Sequence, residues 1–447
     1  MALTPNTVNQ YLNEALDQVA AAKDSYVKNP GVDFTQNRKL PFKTMMSLIL
    51  DMSGGSLTKE MIAFWDRTNV SVTKSAFVQQ RDKIRPEAFT ELFKAFNTLC
   101  APAATMYGRR LCAFDGTAVN IAPNPGTETY IERKDQTGFS QYHLNAAYDL
   151  CSNVYTDYLQ QEAHAANEQK AACQMVDRMS ATTKTVAIFD RGYEGYNLIA
   201  HVQEAKNVDI LLRMKEKGGI LSGISDLPDG EFDIDYEREV ATTQTKEDKA
   251  KGRAYISTKK NKSTNYSPKT KYREWDFPSP FKVKFRIVRF TLKNGATETI
   301  LTTLPRNEFP PKVLKELYNM RWGIETSFRD LKYVIGMVHL HSKGLEPSLI
   351  EIFAALVKYN YCSYVINQAV VPAAPKNGKV ARKHLYRINH KAACDICLKY
   401  LREKRTDQKR LMEQIQFNTE PVRPDRPDTR KSIKPKQFVY FAYRVAA

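Results

Sequence analysis

Two short apolar segments, Tyr142-His-Leu-Asn-Ala-Ala-Tyr148 and Val154-Tyr-Thr-Asp-Tyr-Leu159, decide how the central part of this 447-residue chain folds. They are rich in aromatic and β-branched residues and flank a short polar turn, which predicts a β-hairpin. A further strand, Leu111-Cys-Ala-Phe-Asp115, precedes them. Because sequential strands usually pair, three antiparallel strands in one sheet are expected.

The chain after the hairpin alternates between helix and strand. The pattern predicts, in order, a helix over about 165–180, strand Thr185-Val-Ala-Ile-Phe189, a helix near 195–205 and strand Val208-Asp-Ile-Leu-Leu-Arg213. Antiparallel strands followed by alternating helices and strands are the order of a ribonuclease-H-like mixed sheet. The expected fold class is α/β: such a sheet with a β-strand insertion domain, plus helical N-terminal and C-terminal regions.

Five segments follow from this pattern. They are 1–104, a helical N-terminal region; 105–216, the first part of the ribonuclease-H-like core; 217–305, a β-rich insertion; 306–372, the second part of that core with a long helix over about 310–335; and 373–447, a basic C-terminal region.

The N-terminal region contains a possible helix-turn-helix. Helices are predicted over 57–67 and 74–84, joined by a turn with the helix-capping residues Ser71 and Thr73. In a helix-turn-helix the second helix would offer DNA the side chains of Gln79, Gln80, Arg81 and Lys83. Any two helices joined by a short turn give the same pattern, so a purely structural pair stays open.

The chain is basic, with a net charge of +18. Residues 373–447 carry a net charge of +12 and residues 246–273 carry +8, the latter in a predicted mobile loop. Charge concentrated in this way attracts phosphates and releases their counterions, so nucleic acid is the expected partner. No signal peptide and no apolar run near 20 residues is recognised, which predicts a cytoplasmic protein with no membrane partner and with seven reduced cysteines.

Two aspartates each follow a predicted apolar strand directly. Asp115 precedes Gly116, and Asp190 precedes Arg191. A carboxylate at the exit of a buried strand is held rigidly where ligands reach the sheet edge, which suits a metal ligand. Either aspartate alone could simply cap the next turn.

A third acid, Glu325, lies on the predicted helix over about 310–335. At 100° per residue, Tyr318, Arg321, Glu325 and Lys332 fall within an arc of about 60°, beside the apolar face. These side chains would therefore line the edge of a cleft. The alternative is an ordinary salt-bridged surface, in which Arg321 and Glu325 pair at i,i+4.

These residues together resemble the insertion-sequence DDE transposases, in the branch with a Tyr-Arg-Glu-Lys signature and a β-rich insertion before the catalytic Glu. The resemblance covers roughly residues 38–345. The matching stretches are Phe114-Asp115-Gly116-Thr117, Phe189-Asp190-Arg191-Gly192-Tyr193, Leu301-Thr302-Thr303-Leu304 and Tyr318-Asn-Met-Arg321-Trp322-Gly-Ile-Glu325-Thr-Ser-Phe328-Arg-Asp-Leu-Lys332.

The resemblance implies a DNA transposase that binds the ends of a mobile element, cleaves phosphodiester bonds and transfers 3′-hydroxyl ends into target DNA. Asp115, Asp190 and Glu325 would be the catalytic residues and the ligands of two Mg²⁺ ions, with Mn²⁺ as a substitute. Tyr318, Arg321 and Lys332 would contact phosphates, and Trp322 either DNA or the core. A homodimer on double-stranded DNA in the bacterial cytoplasm or nucleoid is also implied.

Several alternatives stay open. A ribonuclease-H-like nuclease without strand transfer, or a non-cutting DNA-binding protein of transposase descent, would share much of this sequence. Trp275 in the basic insertion could stack on a displaced base or pack as a strand residue. A zinc site is conceivable at His384, His390, Cys394 and Cys397, although the two cysteines also fit the buried face of a helix over about 390–403.

Overall fold

A computed structural model gives the architecture of the chain. It describes residues 3–36, 38–101, 104–134, 136–179, 183–224, 227–257, 274–292, 295–371 and 385–422.

Helices form both ends of the described chain and cover the central sheet. They are α1 (Pro5–Ala21), α2 (Phe42–Asp51), α3 (Leu57–Thr68), α4 (Lys74–Arg81), α5 (Glu87–Cys100), α6 (Glu168–Arg178), α7 (Tyr196–Glu204), α8 (Lys246–Ala250), α9 (Pro311–Met320), α10 (Trp322–Tyr333), α11 (Leu345–Ile366), α12 (His390–Arg402) and α13 (Gln408–Phe417).

The strands lie between the N-terminal helices and α9, apart from a short pair near the C-terminus. They are β1 (Arg110–Ile121), β2 (Tyr130–Arg133), β3 (Gln136–Asp149), β4 (Val154–Glu162), β5 (Thr185–Phe189), β6 (Val208–Arg213), β7 (Phe232–Ala241), β8 (Ala254–Tyr255), β9 (Phe281–Thr291), β10 (Thr297–Thr302), β11 (Tyr386–Ile388) and β12 (Thr419–Pro421).

The catalytic sheet has the predicted mixed topology. Strand β3 pairs antiparallel with β4 and with β1, while β1, β5 and β6 run parallel to one another. Every residue of β5 is buried, as expected for a continuous apolar run at the centre of a parallel arrangement. The ribonuclease-H-like α/β fold class predicted from the sequence is therefore confirmed.

The predicted insertion extends this same sheet. Strand β10 pairs antiparallel with β6, and β9, β7 and β8 follow in that order, so the described sheet has ten strands. Only the start of the basic segment 246–273 is described, as α8 and β8, and the loop predicted there lies mostly outside the described residues. The predicted domain boundaries stay predictions.

Two apolar cores lie on opposite faces of the sheet. Side chains of α6 and α7 pack on one face, together with Phe114 and Phe189. The N-terminal helices and α9, α10 and α11 pack on the other face, together with Ala113 and Ile188. Since side chains alternate along a strand, the odd-numbered residues of β1 face one side of the sheet and the even-numbered residues face the other.

The long helix α11 is the centre of the larger core. Its 22 residues are apolar enough to pass a length-and-composition test for a membrane span, but 83% of the tested window is buried inside the protein. The sequence analysis was wrong to find no such run. Because its neighbours are protein on nearly all sides, α11 is a core helix.

The two predicted N-terminal helices exist, but the helix-turn-helix needs correction. Thr73 caps α4 by accepting a hydrogen bond from the backbone N–H of Ala76, whereas Ser71 instead accepts a hydrogen bond from Lys39. Arg81 is buried, with its guanidinium 3.5 Å from Glu351 of α11. Arg81 therefore stabilises the interior and was wrongly predicted to face DNA.

The other predicted DNA-reading side chains of α4 differ in environment. Gln79 is exposed and Gln80 is half-buried. Lys83 lies beyond the helix, which ends at Arg81 and not at residue 84, and its Nζ is 3.7 Å from Asp33. Gln79 is thus the side chain of this set most open to a partner.

The C-terminal helix α12 packs within the chain. Cys394 and Cys397 are fully buried against the core that contains α11. The side of α12 that carries these two cysteines is thereby occupied by the core of the same chain. His384 lies outside the described residues, and His390 forms an ion pair with Asp330 of α10 at 3.1 Å.

Candidate active site

Asp115 lies at the point where β1 loses one of its neighbours. Parallel pairing of β1 with β5 ends at Ala113 and Ile188, whereas pairing with β3 continues past Asp115 to Ile121. Asp115 is therefore in the middle of a long strand, and the predicted strand end at this residue was wrong. Its carboxylate is nevertheless at an open edge, because the shorter β5 leaves one side of β1 uncovered.

Asp190 directly follows β5, as the sequence predicted. The chain then turns through a short 3-10 helix, Arg191–Tyr193. The side-chain amide of Gln169 in α6 donates to the backbone oxygens of Gly192 and Glu194 at 3.1 and 3.2 Å. This turn is therefore fixed from outside, and Asp190 is held at the edge next to β1.

The predicted single helix over about 310–335 is two helices. Helix α9 ends at Met320 and α10 begins at Trp322, with Arg321 at the junction. Tyr318 lies in the last turn of α9 and Glu325 in the first turn of α10. The break is local, since Arg321 keeps right-handed helical backbone angles, so the predicted common face is preserved.

Two side chains of this helical pair connect the three acids. The hydroxyl of Tyr318 donates a hydrogen bond to Asp190 Oδ1 at 3.2 Å. Arg321 Nη2 donates to Glu325 Oε1 at 2.6 Å, and its Nη1 lies 3.7 Å from Asp115 Oδ2. The structure thus brings Asp115, Asp190 and Glu325 into one cleft between the sheet edge and the two helices.

The cleft perturbs the ionisation of its groups. The pKa of Asp115 is raised to about 6, and burial is the largest cause. The negative charge of Glu325 also raises this pKa, whereas the Gly116 N–H and Arg321 lower it. Burial opposes the charge of Arg321, but the hydrogen bond to Glu325 and nearby negative charge raise its pKa. The site accumulates negative charge that Arg321 partly compensates.

The donor set suits a divalent cation, although the acids are not gathered around one point. In the described ranges, no three His, Cys, Asp or Glu side chains are close enough to hold an ion. The Arg321 side chain is 7% exposed and its cationic group lies between Asp115 and Glu325. Its Nε has no hydrogen-bond partner among the described residues. The guanidinium of Arg321 therefore occupies the position between Asp115 and Glu325 in which a cation bound by these carboxylates would lie.

Lys332 and Trp322 flank the acids on α10. Lys332 is half-buried, burial lowers its pKa, and none of the described carboxylates lies within 4.0 Å of its Nζ. Trp322 is 49% exposed and its ring centroid lies 5.4 Å from Arg321 Cζ. Both side chains are thus placed beside the cleft, and their contact with DNA stays a prediction.

Trp275 belongs to a different cluster. Its ring packs edge-on against Phe277 and Phe281 at centroid distances of 5.6 and 5.7 Å, and its Nε1 donates to the Pro278 oxygen. It lies before β9 and not within a strand, as the packing alternative had assumed. The arrangement accounts for Trp275 by packing, and base stacking stays a prediction.

Two residues near the acids were missed by the sequence analysis. The imidazole of His143 on β3 and the carboxylate of Glu168, the first residue of α6, lie 3.0 Å apart beside Gly116. Gly116 was the available signal, because a glycine next to a candidate catalytic acid often marks a close approach by other groups.

Comparisons with known proteins show to which family the chain belongs. A family model described as a transposase DDE domain matches residues 106–361, which include all three acids. The chain is 23% identical over 370 residues to a protein named as transposase InsL for insertion sequence element IS186A of Escherichia coli K12, covering 78% of this chain and 90% of that protein.

Two further similarities were found. The transposase for insertion sequence element IS421 of Escherichia coli is 23% identical over 372 residues, covering 78% of this chain and 91% of that protein. A cryo-EM structure of a piggyBac transposase synaptic complex with hairpin DNA aligns with a TM-score of 0.44 and 10% identity, over 96% of this chain and 88% of that chain.

Proposed function

Because this chain belongs to the DDE transposases and is a transposase of the insertion-sequence type, we propose that it binds the ends of a mobile element, cleaves phosphodiester bonds there and transfers 3′-hydroxyl ends into target DNA. Double-stranded DNA of the element and of the target is the proposed substrate, in the bacterial cytoplasm.

One observation carries the proposal. Three acids from three separate parts of the chain, Asp115, Asp190 and Glu325, meet in one cleft through the contacts of Tyr318 and Arg321. Binding DNA alone gives no reason to place acids towards a polyanion, since they repel phosphate. Acids placed in this way suit cation-dependent phosphodiester chemistry.

The three carboxylates are the proposed ligands of two divalent cations. Oxygen ligands and a phosphate substrate favour Mg²⁺, and Mn²⁺ suits the same ligands. Asp115, Asp190 and Glu325 would hold these ions, which would supply activation of the attacking water or 3′-hydroxyl and stabilisation of the departing oxygen. This assignment also accounts for Arg321, whose guanidinium neutralises Asp115 and Glu325 when cations are not bound.

The other polar side chains of the helical pair position the substrate. Lys332 has no described acid partner, so its ammonium is available to a phosphate oxygen. Tyr318 holds Asp190 through its hydroxyl, and the same hydroxyl can reach a phosphate. Arg321 can turn towards phosphate once cations replace it between the carboxylates. Trp322 is exposed beside the cleft and can lie against DNA.

A homodimer on paired element ends is part of the proposal. Joining two ends into one target requires two active sites held together, and the net charge of +18 favours assembly on DNA.

Incubation of the purified protein with element-end DNA, a target plasmid and Mg²⁺ tests the function. The transposase function predicts cleaved ends and end–target joints on a gel. Cleaved ends without joints would instead support a nuclease, and binding without cleavage would support a non-cutting DNA-binding protein. The Glu325→Gln protein is the control, since it should bind the ends and give neither product.

A further inference from the structure

Gly116 has a carboxylate and an imidazole directly against its backbone. A Cβ placed on Gly116 would lie 2.4 Å from His143 Nε2 and 2.9 Å from Glu168 Oε1. Real side-chain carbons essentially never approach other atoms so closely, so the glycine is required for these groups to occupy their positions. The two groups thus reach the residue next to Asp115.

Glu168 is held in place from several directions. It is the first residue of α6, where the capping Asn167 accepts the backbone N–H of Lys170 at 3.1 Å. Its carboxylate contacts His143 at 3.0 Å. His143 Nε2 is buried, and in the described part of the chain it has no well-aligned hydrogen-bond partner, so this contact is one of proximity.

The same turn of α6 also controls the second aspartate. Gln169, next to Glu168, holds the backbone oxygens of Gly192 and Glu194 in the turn that follows Asp190. The start of α6 therefore borders both Asp115 and Asp190. Gly116 and Asp115 are successive residues of one strand, so they face opposite sides of the sheet. The start of α6 therefore lies on the side of the sheet opposite Arg321.

On the basis of the function proposed above, we propose that Glu168 is a fourth carboxylate of the cation site, positioned by His143 against the backbone beside Asp115. Pairing of β1 with β5 ends at Ala113, so at Asp115 and Gly116 no β5 residue separates the two faces of the sheet. The ligand is a divalent cation of the Mg²⁺ or Mn²⁺ type.

Charge around the site agrees with this assignment. Glu168 is one of the negative groups that raise the pKa of Asp115, after burial and Glu325. It also acts with Asp115 and Asp190 to raise the pKa of the buried Tyr193, for which burial is the largest cause. Four carboxylates and a single buried guanidinium leave an excess of negative charge that a divalent cation relieves.

The alternative is an ordinary His–carboxylate ion pair at the start of a helix. Helix α6 offers a matched pair for comparison, since Asp177 near its other end lies 2.7 Å from His201 Nδ1. The exposures of the two acids are similar, 44% for Glu168 and 52% for Asp177. Asp177→Asn therefore removes a similar ion pair without touching the cleft.

Binding of Mn²⁺ to the full chain, followed by the paramagnetic resonance signal of the free ion, tests the proposal without an activity assay. Glu168→Gln should weaken Mn²⁺ binding about tenfold or more, as loss of a group at a metal site does. Asp177→Asn should leave it unchanged. Thermal unfolding without Mn²⁺ checks that both variants fold.

The outcomes separate this inference from the proposed function. If Asp190→Asn weakens Mn²⁺ binding and Glu168→Gln does not, Glu168 is only an ion-pair partner and this inference is overturned while the function stands. If neither variant changes binding, the carboxylate site itself is wrong. If Glu168→Gln does not fold, Glu168→Asp, which keeps the charge but shortens the reach, should still weaken binding, and wild-type affinity would overturn the inference.

Discussion

Arg321 is the residue that links two of the three acids in the site. Its guanidinium lies within 4 Å of both Asp115 and Glu325, and its side chain is almost fully buried. A buried cation between two acids keeps them close despite their repulsion. Arg321 serves an internal ion pair, and its predicted contact with phosphate requires it to move.

The three acids should be indispensable for cleavage and dispensable for binding. Asp115→Asn, Asp190→Asn and Glu325→Gln should each lower end cleavage by several orders of magnitude, because the cations lose a ligand. Binding to element-end DNA, measured by gel shift, should persist in all three. Glu316→Gln on α9 is the control, since that acid accepts a hydrogen bond from Tyr107 and lies on the side of the helix away from Tyr318. Strong cleavage by Glu325→Gln would refute the assignment.

Arg321 and Lys332 should respond differently to removal. Arg321→Ala should lower the free energy of unfolding by about 1–3 kcal/mol. This loss is smaller than for a fully buried ion pair, because the Glu325 side chain is 35% exposed and water screens the pair. Mg²⁺ should restore part of this loss by compensating the same acids. Thermal unfolding with and without Mg²⁺ measures both effects, and an unchanged stability would show that the ion pair contributes little.

Lys332→Ala should leave stability unchanged and weaken DNA binding. The slope of log affinity against log salt should fall by about one unit for each lost phosphate contact. Lys312→Ala, an exposed lysine at the start of α9, serves as the comparison and should change the slope less. A large stability loss with unchanged DNA affinity would favour a structural role for Lys332.

The sequence predicted the grouping of the acids better than their contacts. Asp190 after β5 and Glu325 on a helical face with Arg321 follow from local periodicity, which is readable along the chain. The pair of His143 and Glu168 was not readable. It depends on the register between β1 and β3, and a shift of one residue would move His143 to the other face.

At the scale of elements, relative strand length creates the cleft. Strand β1 continues eight residues beyond Ala113, where β5 pairing ends, because β3 continues alongside it. The apolar pattern of residues 111–115 predicted only the first part of β1, which includes the residues that pair with β5. The later residues of β1 are mixed in polarity and gave no strand signal. The length of a strand that is set by pairing with another strand cannot be predicted from the β-propensity of its own residues.

Helix α12 is tied to the catalytic helix by a pH-sensitive ion pair. His390, the first residue of α12, lies 3.1 Å from Asp330 of α10. Burial alone would lower the pKa of His390, but the hydrogen bond to Asp330 and the contact with Cys394 raise it to about 10. The folded state therefore binds this proton more tightly than the unfolded state.

Stability supplied by His390 should consequently be greatest in acid. It is fully present below about pH 6.5, the ordinary pKa of histidine, and is lost as the pH rises through about 10. His390→Gln should melt at a lower temperature than wild type at pH 6, and the difference should shrink towards pH 10. Asp330→Asn should reproduce this trend. A difference that grows with pH would contradict the assignment.

At the scale of the whole molecule, the N-terminal helices and the catalytic sheet share one core. Lys358 of α11 is buried and donates to the Met52 oxygen at 3.0 Å, and Arg81 pairs with Glu351. The sequence predicted the helices but not this union, since contacts between distant segments leave no local pattern. Removal of residues after Val371 would uncover α11, because α12 packs on it.

A shorter truncation, after Val422, keeps α12 and removes only residues outside the described part of the chain. Residues 423–447 carry seven Lys and Arg against two Asp, a net charge of +5. Truncation after Val422 should lower nonspecific DNA affinity and flatten its salt dependence, because fewer counterions are released. Binding titrations at several salt concentrations measure this effect, and sedimentation checks that the mass per particle is otherwise unchanged. An unchanged salt slope would show that this charge does not contact DNA.

The position of bound cations tests the central claim most directly. Anomalous diffraction from crystals grown with Mn²⁺ and uncleaved element-end DNA locates the ions independently of activity. The proposed mechanism predicts two peaks about 3.5 to 4 Å apart, ligated between them by Asp115, Asp190 and Glu325, with Arg321 displaced from its bridge. Peaks at other residues, or an Arg321 still lying between Asp115 and Glu325 with no ion beside them, would contradict it.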